Sequence, residues 1–164
     1  MKKIAIWLTI AFTLFFHTTK LDAEPRMYIH LDEMLHEEDV EWLVKNVYFE
    51  ARNQPVAGQI AVIMVTLNRV RSERFPNTVR EVVTDRKTKT RCQFSWYCDG
   101  KPDVIKNKKK YAEIRDLVLT TLSIRSIITD ITSGALFYHA DYVNPKWAKT
   151  KKRTIKIEDH IFYK

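Results

Sequence analysis

The sequence predicts an α+β fold, mainly α, in a single domain closed by a small β-hairpin, and three observations carry that prediction. Residues 56–70 are apolar almost all round, the mark of a helix at the centre of a packed domain. Two further stretches, 40–51 and 107–130, repeat apolar residues at helical spacing. Near the C-terminus two short runs, 154–157 and 160–163, alternate in polarity on either side of Glu158-Asp159, as the arms of a hairpin do.

The totals fit that class. A chain of 164 residues builds one domain with a real core and is too short for two of ordinary size. With 45% hydrophobic residues, 3 Gly and 5 Pro, it is neither low-complexity nor flexible, and it shows no internal repeat or heptad run. Lys plus Arg number 28 against 20 Asp plus Glu, a formal charge of +8 that favours a polyanionic partner: nucleic acid, anionic lipid or an acidic cell wall. Nucleic acid is disfavoured, because the basic residues are dispersed and no reader motif is present.

Met1-Lys2-Lys3 followed by the apolar residues 4–16 reads as a signal peptide, the apolar run being too short for a comfortable membrane span. Ala23 supplies a small residue before a cut at Glu24. Leu21, where Ala is the better match, keeps an uncleaved anchor open. On either reading residues 1–23 direct export of a domain at 24–164, to the periplasm, the extracellular space or the cell wall, and residues 4–16 give at most transient membrane contact.

Glu37-Glu38-Asp39 places negative charge at the start of the first helix. At about 100° per residue, Val40, Leu43, Val44, Val47, Tyr48 and Ala51 share one face while Trp42 and Phe49 share the opposite one, so the helix needs cover on both sides. Between the faces run two polar seams. One holds Glu41 and Lys45 as an i,i+4 ion pair; the other holds Asn46 and Glu50 with no cation to balance them. A carboxyl in the last turn of a helix buried on two faces has its pKa pushed upward by desolvation and by the helix dipole. A general acid working near neutral pH requires that shift. The alternative is a Glu50 that points into solvent.

Asn53-Gln54-Pro55 then forms a hinge, with Pro55 where the opening of a helix tolerates it. On the central helix the polar Gln59, Thr66 and Arg69 stack along one side, with Asn68 off that line, as either a solvent seam or the wall of a cleft. Pro76-Asn77-Thr78 stops that chain direction, and Thr78 with Glu81 makes a capping box that opens a short helix through Val83. Residues 85–91 are polar and basic and read as a loop.

Both cysteines fall in one segment, Cys92-Gln93-Phe94-Ser95-Trp96-Tyr97-Cys98, and in an exported chain the simplest inference is a Cys92–Cys98 disulfide. The stapled loop carries Phe94, Trp96 and Tyr97 with Gln93 and Ser95. Rings stack on sugar faces and polar side chains meet hydroxyls, so the loop suits a sugar-binding surface; equally, its rings could plug the core. Two sulfurs with no paired His fall short of a zinc site, and no other metal or cofactor is indicated.

Residues 107–130 read as a long amphipathic helix. Its opening Lys108-Lys109-Lys110 is either a solvated face or a wall-binding patch. Residues 134–140 form a short apolar segment reaching Tyr138-His139, and 141–147 a turn or single helical turn broken at Asn144-Pro145. The hairpin follows.

Taken together, YFEAR, GQIAVxxVxLNRV, FPNTVREVV, CQFSWYCDG, FYHAxYVxPxW and IxxHIFY, in that order, resemble the SleB-type cell wall hydrolases, the family of spore cortex-lytic enzymes, over about residues 40–163. The resemblance implies a lysozyme-like domain that cleaves peptidoglycan glycan strands between N-acetylmuramic acid and N-acetylglucosamine. It places the family's E-A-R glutamate on Glu50 and implies a lytic transglycosylase in which that residue is acid and then base. Gln93, Phe94 and Ser95 match the family's Q-F-S loop, and Tyr138 and His139 its Y-H pair. These residues, with Trp96, are expected to line the cleft, His139 having a structural hydrogen-bonding role as its alternative and Trp147 packing the domain. The chain departs from the family at Asn53-Gln54, where many relatives carry Gly-Glu, which puts in doubt any mechanism needing a second carboxylate there. Two rival functions stay open: a hydrolytic muramidase drawing on Asp85, Asp99, Asp103 or Asp141, and a non-catalytic basic module held on the wall. The expected partner is peptidoglycan and the expected state a monomer.

Overall fold

A computed structural model describes residues 36–88 and 91–164; the signal peptide expected at 1–23 lies outside them. The described chain forms helices α1 (Glu37–Ala51), α2 (Val56–Val70), α3 (Val79–Thr84) and α4 (Lys108–Ile124). Its main sheet comprises β3 (Phe137–Ala140), β4 (Arg153–Ile157) and β5 (His160–Tyr163). A small ribbon, β1 (Arg86–Thr88) and β2 (Arg91–Cys92), leads into a 3-10 turn at Ser95–Cys98, and a second such turn spans Lys146–Thr150.

Beyond its exposed first turn at Val56 and Ala57, α2 is apolar on nearly every side because it is covered on both. Val62, Ile63 and Leu67 pack with Leu43, Val44 and Val47 of α1, Val79, Val82 and Val83 of α3, and Ile114, Val118 and Leu122 of α4. On its other side Ala61 and Val65 join Ala135 and Phe162 beneath the sheet. Each such aliphatic side chain contributes about 1.5–3 kcal/mol on full burial, so this double contact makes α2 the axis of the domain. α1 is covered on both faces, as its pattern requires: opposite the core, Phe49 stacks on Trp96 at 4.6 Å and Trp42 meets the edge of Tyr97 at 5.9 Å. The loop that brings those rings is closed by the Cys92–Cys98 disulfide, with Cα atoms 6.1 Å apart.

Local signals behave as read. Thr78 Oγ1 accepts from Glu81 N at 3.2 Å and donates to Glu81 Oε2 at 3.1 Å, which caps α3 at its start. β4 and β5 form the terminal hairpin, with Ile157 opposite His160. Glu158 takes a φ of 49°, the left-handed conformation that tight hairpin turns demand.

Four expectations need correction. The sheet has a third strand: the apolar segment before Asp141 becomes β3 and pairs antiparallel with β5, Tyr138 opposite Phe162, giving the order β3-β5-β4. Residues 85–91 are not simply a loop, since Arg86 pairs with Cys92. α4 stops at Ile124 instead of reaching Asp130. Asp130 offers the chain a competing set of bonds, accepting from Thr132 N at 2.8 Å, Gly134 N at 2.7 Å and Asn68 Nδ2 at 2.8 Å. Those bonds pull its carboxyl below the usual range despite partial burial, and they tie the entry to β3 onto α2. Lastly, Glu41 accepts from Tyr111 Oη at 3.1 Å and pairs with Arg115 of α4, while Lys45 lies over the Trp42 ring at 4.9 Å. Packing between helices supplies better partners than the i,i+4 neighbour.

Candidate active site

Glu50 lies in the last turn of α1, where the sheet crosses the helix end. Side chains alternate along β3; Tyr138 faces α1 and donates from Oη to Glu50 Oε2 at 2.7 Å. Tyr138 is held by the Phe162 ring at 5.6 Å and by the edge of His160 at 5.2 Å, both on β5. Arg69, in the last turn of α2, completes the group. Its side chain is 4% exposed, its Nε donates to Leu136 O at 2.8 Å, and its guanidinium lies over Phe94 at 4.7 Å.

The electrostatics follow from that geometry. Glu50 keeps some solvent exposure as a residue, but its carboxyl is walled in. Burial is the strongest influence on it and raises its pKa; the Tyr138 bond and the charge of Arg69 pull downward without cancelling the rise. The helix dipole at the C-terminal turn acts in the same direction as burial. Tyr138 is pushed well above the usual phenol range by its own burial and then by Glu50, so it remains a proton donor. Burial lowers Arg69, and Tyr138, Glu50 and Asp85 partly restore it. A carboxyl whose pKa burial raises, a fixed hydroxyl and a nearby cation together make a group suited to give up a proton and be stabilised afterwards.

Hollows lie along this group. One of 210 Å³ contains Glu50 with Phe49, Asn53, Gln54, Asp159 and His160 on its walls. On the Tyr138 side, one of 680 Å³ is lined by Arg69, Gln93, Ser95, Tyr138 and Trp147 among others. A third, also 680 Å³, shares Phe49 and Arg52 with the Glu50 hollow and continues past Trp96 and Asp103. The Glu50–Tyr138 bond bridges the first two. Neighbouring hollows around one buried acid leave room for an extended chain.

The structure sorts the residues expected at the site. Gln93 and Ser95 line the Tyr138-side hollow, with Gln93 Nε2 donating to Asp85 Oδ2 at 3.2 Å. Phe94 does not line a cleft: it is 1% exposed and packs under Arg69 in the core. Trp96 is 8% exposed, donates from Nε1 to Asn46 Oδ1 at 2.9 Å and shows an edge to the third hollow. The stapled loop therefore both plugs the core and walls the cleft. His139 faces away from Glu50 across β3, with Nε2 2.9 Å from Tyr163 Oη and Nδ1 2.8 Å from Ala140 O. It lines none of these hollows.

The polar stripe of α2 is no solvent seam. Thr66 is fully buried and receives Asn46 Nδ2 at 3.1 Å, and Gln59 Nε2 donates to Gln54 O at 2.9 Å; Arg69 alone reaches the cleft. None of Asp85, Asp99, Asp103 and Asp141 lines the Glu50 hollow; Asp141, for example, pairs with Lys156 at 2.7 Å. The second carboxylate in that hollow is Asp159, in the hairpin turn, which receives Gln54 Nε2 at 3.1 Å. The close approach of Gln54 to α2 requires Gly58, where a Cβ would sit 2.9 Å from Gln54 Cβ. Sequence reading also missed the roles of Arg69 and His160. Arg69 stood in the polar stripe and His160 in the closing IxxHIFY pattern, but the signal that joins them to Glu50 is tertiary.

A family model described as cell wall hydrolase matches residues 53–163, beginning just after Glu50. The spore cortex-lytic enzyme of Bacillus cereus is 33% identical over 127 residues, 77% of this chain and 44% of that protein. That of Oceanobacillus iheyensis is 30% identical over 137 residues, 83% of this chain and 45% of that protein. The chain thus spans under half the length of these curated relatives. Among solved structures, the catalytic domain of the germination-specific lytic transglycosylase SleB from Bacillus anthracis aligns with a TM-score of 0.60 at 32% identity, covering 80% of this chain and 98% of that one. The SleB catalytic domain of Bacillus cereus aligns at 0.58 and 32% identity, covering 79% and 91%. These neighbours agree with the α+β, mainly α, lysozyme-like class.

Proposed function

Because this chain belongs to the cell wall hydrolase family, we propose that it cleaves peptidoglycan glycan strands between N-acetylmuramic acid and N-acetylglucosamine, as a lytic transglycosylase with Glu50 as acid and base. One observation carries the assignment: the Glu50 carboxyl, raised in pKa by burial, is fixed by the Tyr138 hydroxyl at 2.7 Å beside a hollow. Protonated Glu50 donates to the glycosidic oxygen as the bond to the muramyl anomeric carbon breaks. The resulting carboxylate keeps the Tyr138 bond and the field of Arg69. It then takes the proton of the muramyl 6-hydroxyl, whose oxygen closes on the anomeric carbon and leaves a 1,6-anhydro end. The substrate's acetamido oxygen stabilises the cationic centre between these steps, so no second protein carboxylate is needed.

A second reading rests on Asp159, which shares the Glu50 hollow. A water activated there would replace the 6-hydroxyl and give a reducing muramyl end. Mass spectrometry of digested sacculi separates the two readings: the transglycosylase leaves muramyl ends lighter by one water, and their absence from an active digest would select hydrolysis.

The reading places the enzyme at the wall, with residues 1–23 directing export and 24–164 forming the acting domain. The Cys92–Cys98 disulfide supports this, since such bonds persist in oxidising compartments. Among the described residues no helix is long and apolar enough to cross a membrane.

A further inference from the structure

The hollow on the Tyr138 side of Glu50 is charged in a way that cutting a neutral sugar backbone does not require. Arg69, Arg74, Lys87, Arg91 and Lys151 line it, and no carboxylate does. Among the described residues, no ion pair neutralises Arg74, Lys87, Arg91 or Lys151. Arg74 and Lys151 are braced instead on the ring of Phe137, at 5.3 and 3.7 Å, a support that fixes cations without cancelling their charge. Lys151 registers the crowding: its ammonium is lowered by burial and then by Arg74 and Lys87. Arg69 adds a further guanidinium from the buried wall of the hollow.

We infer that this basic arm binds the carboxylates of the peptide stem carried by the muramyl residue at the scissile bond, so that the enzyme selects stem-bearing strands. The inference rests on the glycan-cleaving reading above. It follows from position: the stem hangs from the sugar whose anomeric bond Glu50 protonates, and the arm shares Tyr138 with that catalytic pair. It also follows from chemistry, since guanidinium forks match carboxylates and the sugar rings themselves carry no charge. The run Lys108-Lys109-Lys110 does not contribute, standing at the opening of α4 outside this hollow.

The test compares two forms of one substrate: peptidoglycan stripped of phosphate-bearing polymers, and the same material with its carboxylates converted to carboxamides. The double variant Arg74→Gln/Lys151→Gln should lose about tenfold in kcat/KM on the carboxylate form, mainly through KM. Conversion to carboxamides should cost the wild type a similar factor and cost the variant no more than about twofold further, because each change removes the same interaction. A charge-matched control, Lys108→Gln/Lys109→Gln, should lose less than about twofold on the carboxylate form. The inference is overturned if the double variant cleaves the carboxylate form as well as the wild type does, or if it loses equally on both forms. It is also overturned if the control loses as much, or if the loss appears only when phosphate polymers are left in place. Should the wild type cleave neither form, the glycan-cleaving reading fails separately, and co-sedimentation of the protein with the two forms still decides: weaker capture by the carboxamide form supports the arm, equal capture overturns it.

Discussion

Asn46 and Glu50 lie one turn apart on the same polar seam of α1, yet their surroundings give them opposite work. Asn46 is wholly buried and both polar atoms of its amide are partnered: Oδ1 accepts from Trp96 Nε1 at 2.9 Å and Nδ2 donates to Thr66 Oγ1 at 3.1 Å. It thereby locks α1 to α2 and to the stapled loop. Glu50, among the described residues, receives a hydrogen bond from Tyr138 only, and its hollow stands open beside it. A buried polar group whose capacity is satisfied holds a fold together; one with capacity left over at a cavity is available to a substrate.

Exchanging the charge of Glu50 while keeping its shape should have the largest effect. Glu50→Gln should lower the clearance rate of purified peptidoglycan by about 10³-fold or more, while its far-UV circular dichroism stays that of the wild type. The same substitution should not cost stability. Since burial raises the folded-state pKa of Glu50, the wild type is most stable with this carboxyl protonated and loses that contribution as pH rises through the raised value. Glu50→Gln should lack the loss, and above neutral pH its Tm should exceed the wild type's by about 3 °C for a gain of ~1 kcal/mol. Asn46→Ala should do the reverse. It strands the buried Trp96 Nε1–H, so urea unfolding should show about 2–3 kcal/mol of destabilisation, with clearance per folded molecule reduced by less than about tenfold.

Tyr138→Phe sharpens the comparison with a smaller effect. It removes the hydrogen bond that lowers the Glu50 pKa, so the alkaline limb of the pH–rate profile should move upward as kcat falls about tenfold. An alkaline limb that moves downward would mean the hydroxyl is not serving as a donor to this carboxyl.

Much of the scaffold was legible in the sequence, because the deciding interactions are local. Val56–Val70 is helical over the span its apolar run marks, the Thr78–Glu81 cap is within one turn, and the terminal hairpin pairs residues close in sequence. The two-faced pattern of α1 correctly demanded cover on both sides. Pairings between distant segments were not legible. β3 became a strand only because β5 offered it an edge, and α4 ended early because Asp130 bonded to Asn68 on α2. The site divides along the same line. Glu50 stood out through its own helix, but Arg69, Asp159 and His160 reach its surroundings by tertiary packing that spacing along the chain does not encode. Phe94 lies in the core and His139 bonds to Tyr163 for a related reason: a motif gives residue types, and whether a ring faces the cleft or the core depends on which side of a strand or turn it leaves.

Burial sets the titration of Glu50 above that of an ordinary glutamate. Carbon-13 NMR of the Glu50 carboxyl, identified by its absence in Glu50→Gln, measures this directly across a pH titration. The midpoint should lie clearly above the ordinary glutamate value of 4.5 and move higher still in Tyr138→Phe. A midpoint at or below that value would contradict this effect of burial.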